Sequence, residues 1–407
     1  MNRRVVVTGR GIVSPIGNTI AEFWKNLMAG MCGVEKLEID QEKFSDIPAF
    51  AATVKNFDPS SFLSKKEARR IGRVTQFTIH ACEQAIREAD ILNQKQIRNE
   101  RIGVILGTGI GGVVEILKNH EVFLKHGLRG VNPMILLMGM PNALSGELAI
   151  RYGFTGPSFT VNSACASSGH AIGDAFGKIK EGVMDICITG GSEAILYPHI
   201  LMSFSFLGVF SKTGTCRPFD LNRDGIVLGE GSSIFVLEEL EHAKAREAHI
   251  YGEILGYGMS SDAYHQVAPD QEGRGAALAM KAALQNANCK PENIQLINAH
   301  ATGTKIGDIA EANALNHIFG DPCRIPVSAN KPSTGHLIGA SGAVELTATL
   351  LSLEYQRIPP TINHEIEDPE CRLDCVPHKS RDHAMHTAIS NSFGFGGHNI
   401  SLVVSKY

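Results

Sequence analysis

VNSACASSGHAIG, residues 161–173, and VSANKPSTGHLIG, residues 327–339, are the two stretches on which the reading of this chain turns. At a constant offset of 166 they agree at six of thirteen positions: Val161, Ser167, Gly169, His170, Ile172 and Gly173 match Val327, Ser333, Gly335, His336, Ile338 and Gly339. Each begins at the end of an apolar run, passes through small residues and enters a helix-like run. A strand-turn-helix unit present once in each half is the simplest account. In that register Cys165 stands opposite Lys331.

Cys165 is either a buried filler or a nucleophile. If SFTV is a strand and ASSGHAIGDAFGKIKEG a helix, the thiol lies at a helix N-terminus, where backbone N–H groups and the helix dipole lower its pKa. Ser163, Ala164 and Ala166 leave room for a bulky substrate, a setting the other eight cysteines lack. Partners for a thiol nucleophile stand further along. His300 in INAHATGTKIGD follows the apolar IQLI, at a strand end where α/β enzymes gather active-site groups. SANKPSTGHLIGASG supplies Lys331 and His336. In ISNSFGFGGHN, glycines 394, 396 and 397 surround Phe395, giving a backbone able to aim N–H groups at an oxyanion.

The rest of the chain sets the frame. Its 407 residues, 43% hydrophobic, suffice for one large domain. Short β-branched runs (RRVVVTG, RIGVILG, DICITGG, SIFVLEEL) alternate with helix-like runs (RVTQFTIHACEQAIREAD, GAALAMKAALQNAN), which implies α/β layers. Thirty-eight basic residues against 42 acidic ones leave a formal charge of −4, so nothing global favours nucleic acid or an anionic membrane as partner. The N-terminal run is interrupted by Arg10 and does not read as a signal peptide, and no stretch approaches a membrane span. Nine cysteines without such a signal read as reduced thiols in a cytoplasmic protein.

Taken together, the Cys165, His300, Lys331 and His336 motifs and the CRPFDLNRDGIVLGEG segment at 216–231 resemble the elongating β-ketoacyl-[acyl-carrier-protein] synthases of type II systems, synthase II-like members of the thiolase-like superfamily. The resemblance runs from RRVVVTGRGIVSPIG to ISNSFGFGGHN, nearly the whole chain. It implies a thiolase-like five-layered α-β-α-β-α fold built from two pseudo-symmetric halves, here 1–250 with the nucleophile and 251–407 with the His, Lys and His motifs. A homodimer is expected, with a heterodimer with a related subunit as the alternative.

By the same resemblance Cys165 accepts an acyl chain, while His300 and His336 hold the malonyl thioester as it loses carbon dioxide. Lys331 orients the histidines, Glu345 supports them, and the N–H groups of Cys165 and Phe395 hold the oxyanion, with Phe395 also gating the acyl channel. Ile110, Ile135, Leu136 and Phe204 match acyl-pocket positions, and Thr302 and Thr304 match contacts to the phosphopantetheine arm. That arm belongs to the carrier protein; neither a cofactor bound by the enzyme nor a metal is expected. Lys66, Arg69 and Arg70, with Arg73 at helical spacing, and Arg129 are expected to dock the acidic acyl carrier protein, although Gly130 replaces the usual second basic residue at the last position.

Other motifs carry less. GTGIGG at 107–112 has the wrong spacing for a dinucleotide fingerprint and no matching strand-end acid. Cys371, Cys375, His378, His383 and His386 fit no closed zinc pattern, and His170 reads as packing on the Cys165 helix. FSKTGTCRPFD is shorter than in housekeeping fatty-acid enzymes, and Val267 stands where their pattern has a threonine for the pantetheine arm. The expected activity is therefore condensation in fatty-acid elongation, with a dedicated polyketide or polyene ketosynthase as the alternative. A non-catalytic chain-length partner subunit would lack the cysteine, and a thiolase would carry a second one in the C-terminal glycine loop.

Overall fold

The computed structural model describes residues 3–37, 50–94 and 97–407. Ten strands build its main sheet. The first five are β1 (Val5–Val13), β2 (Ile102–Gly107), β3 (Ser158–Val161), β4 (Ile186–Glu193) and β5 (Gly231–Glu239). The second five are β6 (Gly252–Ser261), β7 (Leu296–Asn298), β8 (Val327–Ser328), β9 (Thr387–Gly394) and β10 (His398–Ser405).

Their spatial order is β8-β7-β9-β10-β6-β1-β5-β4-β2-β3. In each five, the second strand in sequence runs parallel to the third and fourth, and the fifth is antiparallel to the fourth and to the first. The halves thus repeat one topology. They meet where Val5–Val7 of β1 pairs antiparallel with Gly252–Ile254 of β6, so two five-stranded sheets become one ten-stranded sheet.

Helices supply the other layers, and their sequences dictate which. In α1 (Arg73–Ala89), Val74, Phe77, Ala81, Ala85 and Ala89 recur every three or four residues and bury one stripe against β1 and β5. The approach is close: a Cβ at Gly9 or Gly11 would lie 2.1 or 1.9 Å from the carbonyl oxygens of Ala85 and Ala81. By contrast, α3 (Ser167–Lys180) is buried over most of its length, and α7 (Ser341–Tyr355) is buried continuously from Ser341 to Leu353. Helices apolar all round belong between layers. They touch each other and strands of both halves. Between α1 and α3 runs α2 (Val113–His126), and α4 (Pro198–Phe206) follows α3. Outside the second half lie α5 (Arg274–Asn286) on β6 and β10, and α6 (Lys305–Phe319) against α5.

The repeat is real, but its register changes along the unit. At the strands the offset is already 169 rather than 166, since Val104 N donates to Pro157 O in the first half as Ile297 N donates to Pro326 O in the second, so that Val327 matches Ser158 and not Val161. Beyond them the second half inserts a turn, Lys331–Thr334. The two helices therefore start at Ser167 and Ser341, an offset of 174. Backbone torsions settle the match: Ala164 and Ile338 both have positive φ (50° and 45°), and Ala166 and Ala340 have φ of −90° and −88°. The twin of Cys165 is Gly339. Lys331 and His336 lie in or beside the insertion, and the Gly-His identities that aligned His336 with His170 reflect composition rather than place.

Candidate active site

Three segments bring the site together. Cys165 sits in the single turn Ala164–Ala166 that opens α3, as expected at a helix N-terminus. His300 follows β7, and Lys331 and His336 come from the inserted turn and the loop after it. Cys165, His300, Lys331 and His336 are 4, 7, 1 and 3% exposed, so the cluster is almost dry. His336 Nε2 lies 3.0 Å from Cys165 Sγ, and its Nδ1 lies 2.9 Å from Ser341 Oγ. The rings of His300 and His336 meet edge to face at 5.4 Å.

Lys331 makes a fixed hub. Its ammonium donates to Glu345 Oε1 and to the His300 carbonyl oxygen, and lies 3.3 Å from His300 Nδ1. An ammonium has no acceptor, so His300 Nδ1 must accept and Nε2 must carry the hydrogen. Burial, then the Lys331 charge, hold both imidazoles well below the usual histidine range. Both rings are neutral, and each can offer an N–H.

The thiol departs from expectation. Burial pushes Cys165 up to about 12, against the opposing pull of Lys331 and of the Phe395 N–H, which hydrogen-bonds the sulfur. Desolvation of the anion outweighs the helix N-terminus. The resting group is a neutral S–H beside a neutral imidazole, and it becomes nucleophilic only as the proton leaves. The glycine loop does approach as anticipated: a Cβ at Gly394 would meet Ser163 O at 2.9 Å and Cys165 N at 3.1 Å.

A cavity of about 850 Å³ opens onto this cluster. Cys165, His300, His336, Phe395, Thr302 and Thr304 line it, with Phe204 and Val267. Phe204 and Phe395 stack with ring centroids 6.3 Å apart. Thr304 caps α6, accepting from Gly307 N at 3.2 Å, and its hydroxyl lies 3.1 Å from that of Thr302. Of the other pocket candidates, Ile110 packs in the apolar cluster that includes Cys165 and Phe204, but neither it nor Ile135 nor Leu136 lines the cavity. Leu136 is 67% exposed, because the short helix Ile135–Gly139 that carries it lies at the surface.

Three acids escaped the sequence reading. Glu311 accepts from His300 N at 2.8 Å and Ala301 N at 2.7 Å, fixing the turn behind the imidazole. Asp308 does the same for Phe219 N and Gly303 N at 2.8 and 3.1 Å. Two acids three residues apart on the buried face of α6 were the available signal. Glu193, fully buried at the end of β4, accepts from Gly109 N at 2.6 Å, Gly339 N at 3.0 Å and Ile110 N at 3.3 Å. Its carboxylate consumes the N–H groups of the GTGIGG loop that a phosphate would need. Burial pushes Glu193, Glu311 and Glu345 each up to about 7.

The basic motif is split. Its helix, Lys65–Ala68, stops before Arg69, and Arg73 opens α1 instead. Arg73 is committed to Glu230 at 2.6 Å and to the Phe77 ring, which removes it from the expected face. Lys66, Arg69, Arg70 and Arg129 are exposed. Asn132 Nδ2 donates to the Arg69 carbonyl at 3.3 Å, bringing the loop after Arg129 against this segment. In the cysteine-histidine motif, Cys371 and Cys375 are buried apolar residues while His378 and His386 are exposed. Among the described residues no three potential ligands converge on a metal position, and no helix is long and apolar enough to cross a membrane.

Known proteins resemble this chain over its full length. Residues 2–243 match the family model of the beta-ketoacyl synthase N-terminal domain, and residues 251–365 match that of the C-terminal domain. The chain is 43% identical to the 3-oxoacyl-[acyl-carrier-protein] synthase 2 of Synechocystis sp., covering 100% of this chain and 98% of that protein. Among solved structures it is similar to the ishigamide ketosynthase/chain length factor (TM-score 0.93, 34% identity) and to a type II PKS ketosynthase bound to its acyl-carrier protein (TM-score 0.92, 32% identity). Both alignments cover 100% of each chain. With its thiol, paired imidazoles and lysine on a doubled α/β scaffold, and with both family models matched in order, the chain belongs to the β-ketoacyl synthase family.

Proposed function

We propose that this chain is a 3-oxoacyl-[acyl-carrier-protein] synthase acting in fatty-acid elongation, and that its halves 1–250 and 251–407 work as one unit. The observation that carries this reading is the contact between Cys165 Sγ and His336 Nε2 at 3.0 Å, beside His300, at the end of a cavity.

In the first half-reaction Cys165 Sγ attacks the acyl thioester of a carrier protein. Its proton passes to His336 Nε2 and on to the departing carrier thiolate. The N–H groups of Cys165 and Phe395 hold the oxyanion, and Phe395 swings to admit the chain past Phe204. In the second, malonyl carrier protein enters with its phosphopantetheine arm along Thr302 and Thr304. The bond to the carboxylate breaks, carbon dioxide leaves, and the electron pair moves onto the thioester oxygen between the Nε2–H groups of His300 and His336. The enolate carbon then attacks the acyl-Cys165 carbonyl, the carbon–sulfur bond breaks, and the departing thiolate takes the Nε2 proton of His336 to restore the thiol, a solvent proton replacing the one that the imidazole gives up. Lys331 and Glu345 act through His300 by fixing its tautomer. Ile110, Ile135 and Leu136 form the far acyl pocket once a second copy covers them, in a cytoplasmic homodimer, and Lys66, Arg69, Arg70 and Arg129 dock the carrier.

Two observations favour a dedicated polyketide or polyene ketosynthase as the second reading. Val267 lines the cavity where a threonine is usual, and the related ketosynthase structures include one with a chain length factor. On that reading the partner is a related subunit. Incubation with carrier protein loaded with saturated chains of graded length, together with malonyl carrier protein, followed by mass analysis of products, separates them. Saturated primers extended across several lengths support fatty-acid elongation. Preference for polyunsaturated or β-oxidised primers overturns it in favour of the second reading.

A further inference from the structure

The two histidines differ in what holds them. Lys331 pins His300 in a single tautomer, whereas the Nδ1 of His336 faces a hydroxyl, Ser341 Oγ, at 2.9 Å. A hydroxyl both donates and accepts, so either tautomer of His336 finds a partner there. Ser341 is 2% exposed and His336 3%, so bulk water does not substitute for that partner. The twin residue makes the contrast plain. Ser167 opens α3 as Ser341 opens α7, yet its hydroxyl is spent on its own turn, donating to Ala164 O at 2.6 Å and accepting from Ser163 N at 2.9 Å. Ser341 turns to the imidazole instead.

We propose that Ser341 is a positioning residue that lets His336 serve as a proton acceptor in acyl transfer and as an N–H donor in decarboxylation. This rests on the synthase reading. To accept the Cys165 proton, His336 needs a bare Nε2 and therefore an Nδ1–H, which donates to Ser341 Oγ. That proton leaves on the carrier thiol, which restores the ring. To hold the malonyl thioester oxygen it needs an Nε2–H and a bare Nδ1, which Ser341 satisfies by rotating its hydroxyl to donate. Between the half-reactions the departing carrier opens the cavity that His336 lines to water, Nε2 gains a proton from it, and the Nδ1 proton is lost as the imidazole and the Ser341 hydroxyl part transiently to admit a water between them. The imidazole stays neutral on either side of the exchange.

The test uses the full-length protein labelled with ¹⁵N-histidine, the His336 signals being identified by their loss in His336→Ala. The hydrogen should reside on Nδ1 in the free enzyme and on Nε2 once Cys165 is acylated. One tautomer in both states overturns the proposal, and this readout needs no Ser341 variant to fold. In Ser341→Ala the Nδ1–H tautomer loses its buried acceptor, so acylation of Cys165 by acyl carrier protein should slow about tenfold. Malonyl decarboxylation should slow less than acylation, since proteins leave buried acceptors unpaired more readily than buried N–H groups. Ser341→Thr should restore acylation. Equal slowing of both half-reactions, or of neither, overturns the proposal. A wild-type enzyme that takes no acyl group at all contradicts the synthase reading instead, leaving the tautomer of the free enzyme still measurable.

Discussion

The turn Ser163–Ser167 and the turn Leu337–Ser341 follow the same backbone path into the two central helices, yet only the first bears a thiol. What differs is the strand end beside each. β4 finishes in Glu193, whose carboxylate fills the space at Gly339 N. β9 finishes in Gly394, whose missing side chain leaves the space at Cys165 N open to the Phe395 N–H and to a substrate oxygen. A helix N-terminus offers the same anion-binding N–H groups in both places. The fold supplies this environment twice, and one side chain decides whether it is filled by the protein's own carboxylate or left open.

Breaking the comparison at its centre has the largest effect. Cys165→Ala should abolish the acyl adduct seen by intact mass and all condensation, while malonyl decarboxylation persists on the two imidazoles. His300→Ala should do the reverse, keeping the adduct and losing decarboxylation. Loss of both activities in either variant would show that the two halves of the site are not separable as described.

Adding an atom to each twin tests the packing. A Cβ at Gly339 would lie 2.2 Å from Gly109 N and 2.6 Å from Thr108 C. Gly339→Ala should cost about 3 kcal/mol or more, read as a fall in urea midpoint or as loss of folded protein. At Gly394 the intruding contacts, 2.9 to 3.2 Å, are less severe. Gly394→Ala should fold, but by crowding the oxyanion position it should lower kcat about a hundredfold. Similar stability losses at both positions would erase the distinction between a filled and an open site.

pH sharpens the contrast between thiol and imidazoles. Both histidines are held below their usual range, so each protonates only at a pH well under 6.5. The imidazoles should therefore add no titration to decarboxylation by Cys165→Ala between about pH 6 and pH 8, and any change there should follow Glu311 and Glu345, pushed up to about 7, and disappear in Glu345→Gln or Glu311→Gln. A change through pH 6.5 that survives both substitutions would mean that one ring is charged at rest. The smallest effect concerns the surface. Reversing the charges at Arg69 and Arg70 should raise KM for carrier-bound substrates several-fold in low salt while leaving a small thioester mimic unaffected. Equal losses on both substrates would assign these residues to folding.

Much of this was legible in the sequence, and the failures share a cause. Strands such as RIGVILG and the helix at 73–89 are set by local periodicity, and they fall where the pattern put them. Cys165, His300, Lys331 and His336 converge because each follows a recognisable strand end. The register of the repeat was misread because Gly, Ser and His recur in both turns, while an inserted turn changes geometry without changing composition. The raised thiol pKa, Glu193 under the glycine loop and the pairing of Arg73 with Glu230 depend on burial and on partners distant in sequence. No window of residues reports them. The exposed position of Leu136 belongs with these, since it depends on where its short helix lies in the fold.

The short seam between β1 and β6 has a consequence for synthesis on the ribosome. Val5–Val7 emerges about 250 residues before its partner, so one of its edges waits for Gly252–Ile254. At ~5–20 residues per second the wait is on the order of ten to fifty seconds. During that interval three valines present an unpaired, apolar strand edge, the kind that recruits strands from other chains. A fragment ending at residue 250 keeps that edge bare permanently and should self-associate as it is made. Supplying 251–407 as a separate chain should rescue it only if both are present before the first has aggregated.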